Sequence, residues 1–82
     1  MIWDKPITAD GWTVTPKQAE AAWGEFRFTG LKKASVLAGI LVRAGATGRG
    51  DWACMRLADR MLQKARKAGV VRFTKGTWEF VE

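Results

Sequence analysis

The sequence predicts an α+β domain with three helices packed on a small three-stranded antiparallel sheet, in the order α-β-α-α-β-β. Three observations carry that expectation. Apolar residues recur at helical spacing in three stretches bounded by capping or glycine signals. Two stretches, 25–28 and 70–81, alternate instead, the second around a Lys-Gly turn. The chain has 82 residues, enough for one domain that buries about 60% of its unfolded surface, with no second lobe to frame a cleft.

Residues 1–14 stand apart from the predicted domain of residues 15–82. "ITADGWTV" sets Asp10-Gly11 between β-compatible flanks, a hairpin signal. The alternative is a loose arm pinned by Trp3 or Trp12. The first helix opens in "TPKQAEAAWGEF". Thr15 can N-cap it, Pro16 suits its first position, and Gln18 sits where a capping box requires it. Ala19, Ala22 and Trp23 share one face, and Gly24 is expected to help stop the helix. "EFRFT" then reads as a short half-buried strand, with Phe26 and Phe28 on one side and Arg27 on the other. This strand is expected to pair with the C-terminal hairpin as the third of the sheet, since a lone hairpin is marginal in water.

"TGLKKASVLAGILVRAG" is the second helix, over 31–45, with Thr29 as its cap. Leu31, Ala34, Leu37, Ala38 and Leu41 define one apolar side, and Val36, Ile40 and Val42 widen it. A helix apolar on most sides is the central one. Gly45 ends it. The third helix, 51–68, is capped by Asp51 and stops at Gly69. Cys54, Leu57, Ala58, Met61, Leu62 and Ala65 fall on its core side. Arg56, Arg60, Gln63 and Lys67 fall in a narrow opposite arc, with Lys64 beside them and Trp52 near them. Trp52 is either core beneath the hairpin or an exposed anchor, whereas Trp23 and Trp78 read as core. In "VVRFTKGTWEFV", Val71 and Phe73 alternate with Arg72, Trp78 and Phe80 alternate with Glu79, and Gly76 supplies the turn.

The formal net charge of +6 is unevenly placed. Residues 1–26 hold two lysines against four acids, leaving −2. Residues 27–82 hold twelve Lys/Arg against four acids, leaving +8. That asymmetry points to an anionic partner for the C-terminal two-thirds. One cysteine and no histidine leave no usual zinc site and no imidazole to activate a nucleophile. The lone Cys54 reads as buried and inert, in a reducing compartment. Asp51, Asp59, Glu20 and Glu25 sit where caps and helix ion pairs would use them, so no carboxylate pair marks a catalytic site. No enzyme activity and no cofactor are therefore expected. "ASVLAGILV" is too short to span a bilayer, and the acidic start lacks a signal-peptide apolar core, so a cytoplasmic protein is expected.

"ATGRGDW" is read as a turn. It lacks the Gly-Lys-Ser/Thr ending of a P-loop, and its Arg-Gly-Asp is better explained by Asp51 as a cap. A phosphate contact by Arg49 beside a helix N-terminus is a further candidate use.

In element order, and in "RLADRMLQKARKAGVVRFTKGTWEFV", residues 15–82 resemble the winged helix-turn-helix superfamily. "LQKARKAGVV" looks like the end of a recognition helix entering the first wing strand. In style the chain is also similar to small phage or prophage proteins. The resemblance implies that helix 51–68 is the recognition helix and that residues 74–76 form the wing tip. Two departures stand out: the wing is very short, and helix 31–45 is long before its turn. The physical reading of the residues agrees with that use. A helix fits the DNA major groove, where Arg56 and Arg60 could present forked donors to guanine and Gln63 could pair with adenine. Lys64 and Lys67 suit phosphates, and Arg72 and Lys75 suit phosphate or minor groove. Trp52 and Arg49 complete the candidate contact set. The expected function is sequence-specific binding of double-stranded DNA by a small transcriptional regulator. The alternative class is a protein-interaction module that acts on a host nucleic-acid-binding complex, either with its basic face imitating or competing with nucleic-acid contacts or with Trp52 and the hairpin docking on a protein.

Overall fold

The N-terminal segment is a hairpin and not a loose arm. β1 (Ile7–Ala9) pairs antiparallel with β2 (Trp12–Val14), in the register Ile7↔Val14, Thr8↔Thr13, Ala9↔Trp12. Gly11 takes a left-handed φ of 84° in the turn, which a Cβ would oppose. The period of two puts Ile7, Ala9, Trp12 and Val14 on one face, and all four are buried. The computed structural model describes residues 2–9, 11–30, 32–48 and 51–81, without the side chains of residues 51–53. Among the described residues the elements follow in the order β-β-α-α-α-β-β.

α1 (Pro16–Arg27) opens with the expected capping box. The Thr15 hydroxyl accepts from the Gln18 amide at 3.1 Å, and the Thr15 amide donates back to Gln18 Oε1 at 3.0 Å. Two orphan donors are thereby satisfied. Gln18 also donates through Nε2 to the Gly45 carbonyl at 3.2 Å, tying the start of α1 to the end of the next helix.

The expected stop at Gly24 and strand at 25–28 are not formed. α1 runs through Gly24 to Arg27, with Phe28 as its C-cap. A helix places Phe26 on the same face as Ala19 and Ala22, where it is fully buried. There its ring lies 5.6 Å from Trp23 and 6.1 Å from Phe80. A strand would have turned Phe26 and Phe28 the same way. The helix separates them and leaves Phe28 86% exposed. A glycine inside a helix costs about 1 kcal/mol, less than burying a phenylalanine returns.

α2 (Ala34–Ala44) begins later than expected, after Lys33, which makes no side-chain cap. Thr29 closes α1 instead of opening α2, since its hydroxyl donates to the Phe26 carbonyl at 2.8 Å. Leu31, expected on the apolar side of this helix, lies outside the described residues. Leu37, Ala38, Ile40 and Leu41 are buried, while Val42 is half exposed. Gly45 ends the helix at a φ of 108°. The Ala46 and Gly45 amides donate back to Leu41 and Val42, the paired bonds of a Schellman motif.

α3 (Asp51–Lys67) places Cys54, Leu57, Ala58, Met61, Leu62 and Ala65 in the core, as its periodicity predicts. The Cys54 thiol donates to the Ala38 carbonyl at 3.3 Å. Arg49, and the side chains of Asp51 and Trp52, lie outside what the structure describes. The expected cap by Asp51, the phosphate contact by Arg49 and the role of Trp52 fall there.

β3 (Val71–Thr74) and β4 (Thr77–Phe80) form the C-terminal hairpin, in the register Val71↔Phe80, Arg72↔Glu79, Phe73↔Trp78, Thr74↔Thr77. There is no three-stranded sheet; the described residues form two sheets of two strands. One bond stands where the third strand was expected: the Trp78 amide donates to the Lys32 carbonyl at 2.8 Å. The segment before α2 thus touches the edge of β4 without becoming a strand.

The N-terminal segment shares the core of the helices, contributing Trp3 and, from the hairpin, Ile7, Ala9, Trp12 and Val14. β2 is also bridged to the turn between α2 and α3. Thr13 and Thr47 exchange both backbone bonds, at 2.8 and 3.0 Å. Among the described residues, no helix is long and apolar enough to cross a membrane.

Candidate nucleic-acid interface

Burying one side of α3 forces its charged residues onto the other. Arg56, Arg60 and Lys67 are exposed, and Gln63 and Lys64 are half-buried along the same face. Over 17 residues the helix is about 26 Å long, so this face is long enough to follow several base pairs. Five of the nine candidate residues therefore lie on one helix face.

That face is walled on two sides. On one, Ala9 of β1 stands across from Arg56, Asp59, Arg60, Gln63, Lys64 and Lys67, enclosing an open groove of about 530 Å³. The N-terminal segment reaches this face electrostatically too, through Asp4 and Lys64 at 3.8 Å. At that distance and exposure the pair is a weak one. On the other side the start of α2, the middle of α3 and the C-terminal hairpin enclose a larger groove of about 850 Å³. Gln63 and Asp59 line both grooves. Arg66 holds Gln63, donating from Nη1 to Oε1 at 3.3 Å.

The two hairpin candidates differ. Arg72 is engaged across the strands by Glu79, with Nη2 3.1 Å from Oε1. Lys75 is exposed at the tip, in a left-handed conformation with φ 51°, followed by Gly76 at 81°. Two consecutive positive φ values between Thr74 and Thr77 make a type I′ turn, whose twist matches the strands.

Glu25 and Asp59 are placed otherwise than an ion pair along their own helix would require. Glu25 pairs with Arg43 of α2 at 2.8 Å, between helices and not along one. Asp59 makes no ion pair with another described residue, although it sits among five cations of its own helix. Arg66, Lys33 and Phe73 also line this surface, and the sequence pattern did not assign them to it. Arg66 is one turn from Gln63 and was legible on the same helical wheel. Lys33 belongs to the larger groove only because α2 begins beside the hairpin. Phe73, read from the sequence only as alternating with Arg72, is 57% exposed, although Trp78 directly across the hairpin is buried.

Among the described residues no cluster of His, Cys, Asp and Glu could hold a metal ion. No family model, curated protein or solved structure matches the chain.

Proposed function

We propose that the chain is a double-stranded DNA-binding domain of the winged-helix kind, acting as a small transcriptional regulator by equilibrium binding. The observation that carries this reading is the joint presentation of Arg56, Arg60 and Lys67 along one exposed helix face, beside a hairpin tipped by Lys75. α3 would enter the major groove, where Arg56 and Arg60 donate to guanine O6 and N7. Gln63 could pair with adenine once Arg66 releases its oxygen. Lys64, Lys67 and Lys75 would contact phosphates, which fix register and orientation without reading sequence. Arg72 would join them only by exchanging Glu79 for a phosphate. The Trp78–Lys32 backbone bond also supports the winged-helix reading, because it brings the chain before α2 to the edge of the hairpin.

The test is binding of duplex DNA by fluorescence anisotropy over a salt series. Lys67→Ala with Lys75→Ala should weaken binding to all duplexes about equally. The pair should flatten the slope of log affinity against log salt by roughly 2 units, about 0.9 for each phosphate no longer neutralised. A wild-type chain without duplex affinity at low salt overturns the proposal.

A second reading, as a protein-interaction module, is favoured by the exposed Phe28 at the end of α1 and Val42 on α2. Winged helices host both uses. Capture of a host protein that persists after nuclease treatment, and is abolished by Phe28→Ala, would select it.

A further inference from the structure

The larger groove carries features that a DNA backbone does not require. A sugar-phosphate ridge is met by cations, and this groove has them in Lys33 and Arg66. It also has an exposed aromatic ring and a carboxylate. Phe73 leans on the buried Trp78, ring centroids 5.1 Å apart and planes at 63°, and keeps 57% of its surface open. Asp59 stands in the same groove without an ion-pair partner among the described residues. A carboxylate repels phosphates, and an open ring gains nothing from them. Both suit a nucleobase, which offers a π-face to stack and an edge with donors to bind. In a continuous duplex neighbouring bases cover every such face, so the base must be unpaired.

We propose that this groove takes one unpaired nucleotide adjoining the duplex. Its base stacks on Phe73, Asp59 accepts from its edge, and Lys33 and Arg66 hold its phosphates. The inference rests on the reading of the chain as a nucleic-acid-binding domain. The groove, about 850 Å³, lies in the size range of small-molecule sites and has room for a nucleotide. The Asp59 carboxylate is acceptor-only, so it matches a base edge that presents a donor, and Gln63 stays with the major groove. Bases with an exocyclic amino group (cytosine, adenine, guanine) are favoured over thymine, which has none.

The experiment compares a blunt duplex with the same duplex carrying a short single-stranded extension, at fixed salt, by anisotropy. A second pair of extended duplexes places 2-aminopurine in the extension or at its paired neighbour. The extension should raise wild-type affinity about ten-fold, the range of one base stacked on an aromatic side chain. The 2-aminopurine in the extension should be quenched on binding. Phe73→Leu keeps an apolar cover over Trp78 and should remove the gain while leaving blunt-duplex affinity within about two-fold. Equal wild-type affinity for the two duplexes, or unquenched 2-aminopurine in the extension, overturns the nucleotide site whether or not Phe73→Leu folds. Equal binding of both duplexes leaves the duplex reading standing. Binding of the extended duplex alone upholds the nucleotide site and overturns the groove-reading role of α3. Failure of every nucleic acid to bind overturns both.

Discussion

Lys75→Asn separates stability from binding at one position. Lys75 occupies the first central position of a type I′ turn, with φ 51°. An L-residue in the left-handed region brings its Cβ against the following carbonyl, at a cost of about 1–2 kcal/mol. Asparagine reduces that cost, because its short amide can hydrogen-bond to the local backbone. Asn-Gly is the favoured pair for this turn, and Gly76 already stands second. The substitution should therefore stabilise the fold by about 0.5–1 kcal/mol, which moves the melting midpoint of a domain this size up by about 2–8 °C. It also removes the cation at the hairpin tip. Under the proposed function the chain then neutralises one phosphate fewer, and the salt slope should flatten by about 0.9. Thermal melting by circular dichroism and anisotropy over a salt series measure the two effects, which have opposite signs. A lower midpoint refutes the turn argument. A higher midpoint with an unchanged salt slope refutes Lys75 as a phosphate ligand.

Leu62 is fully buried on α3, so Leu62→Ala should cost about 2–5 kcal/mol in urea unfolding, and a loss under about 1 kcal/mol would contradict the facing of this helix. At Gly48 an added Cβ would overlap the Trp12 indole and sit 2.8 Å from its Cα, with both backbones pinned by the Thr13–Thr47 bridge. Gly48→Ala should therefore destabilise by about 1–3 kcal/mol, and an unchanged melting midpoint would show that this contact relaxes. Arg60→Ala removes an exposed charge and should leave stability within about 0.5 kcal/mol, while weakening specific DNA binding by about 1–3 kcal/mol. Unchanged affinity for the preferred site at fixed salt would count directly against α3 as the reading helix.

The sequence by itself determined what depends on neighbours along the chain. The Thr15–Gln18 capping box, the glycine stops at Gly45 and Gly69, the two faces of α3 and the turn of the C-terminal hairpin rest on interactions within a few residues. The basic arc of Arg56, Arg60, Gln63 and Lys67 was legible for the same reason, since a helix of fixed pitch converts spacing into facing. Tertiary packing decided the rest. "EFRF" satisfies the period of a strand as well as that of a helix. The choice fell to the helix because Phe26 then reaches Trp23 and Phe80, the second of them 54 positions further along the chain. With those residues helical, the third strand had no chain to form it and was reduced to the Trp78–Lys32 bond. Exposure of Phe73 and the presence of Lys33 at the larger groove depend on the distance at which the hairpin docks against α2 and α3. That distance is set by side chains meeting across the core, and no local pattern encodes it.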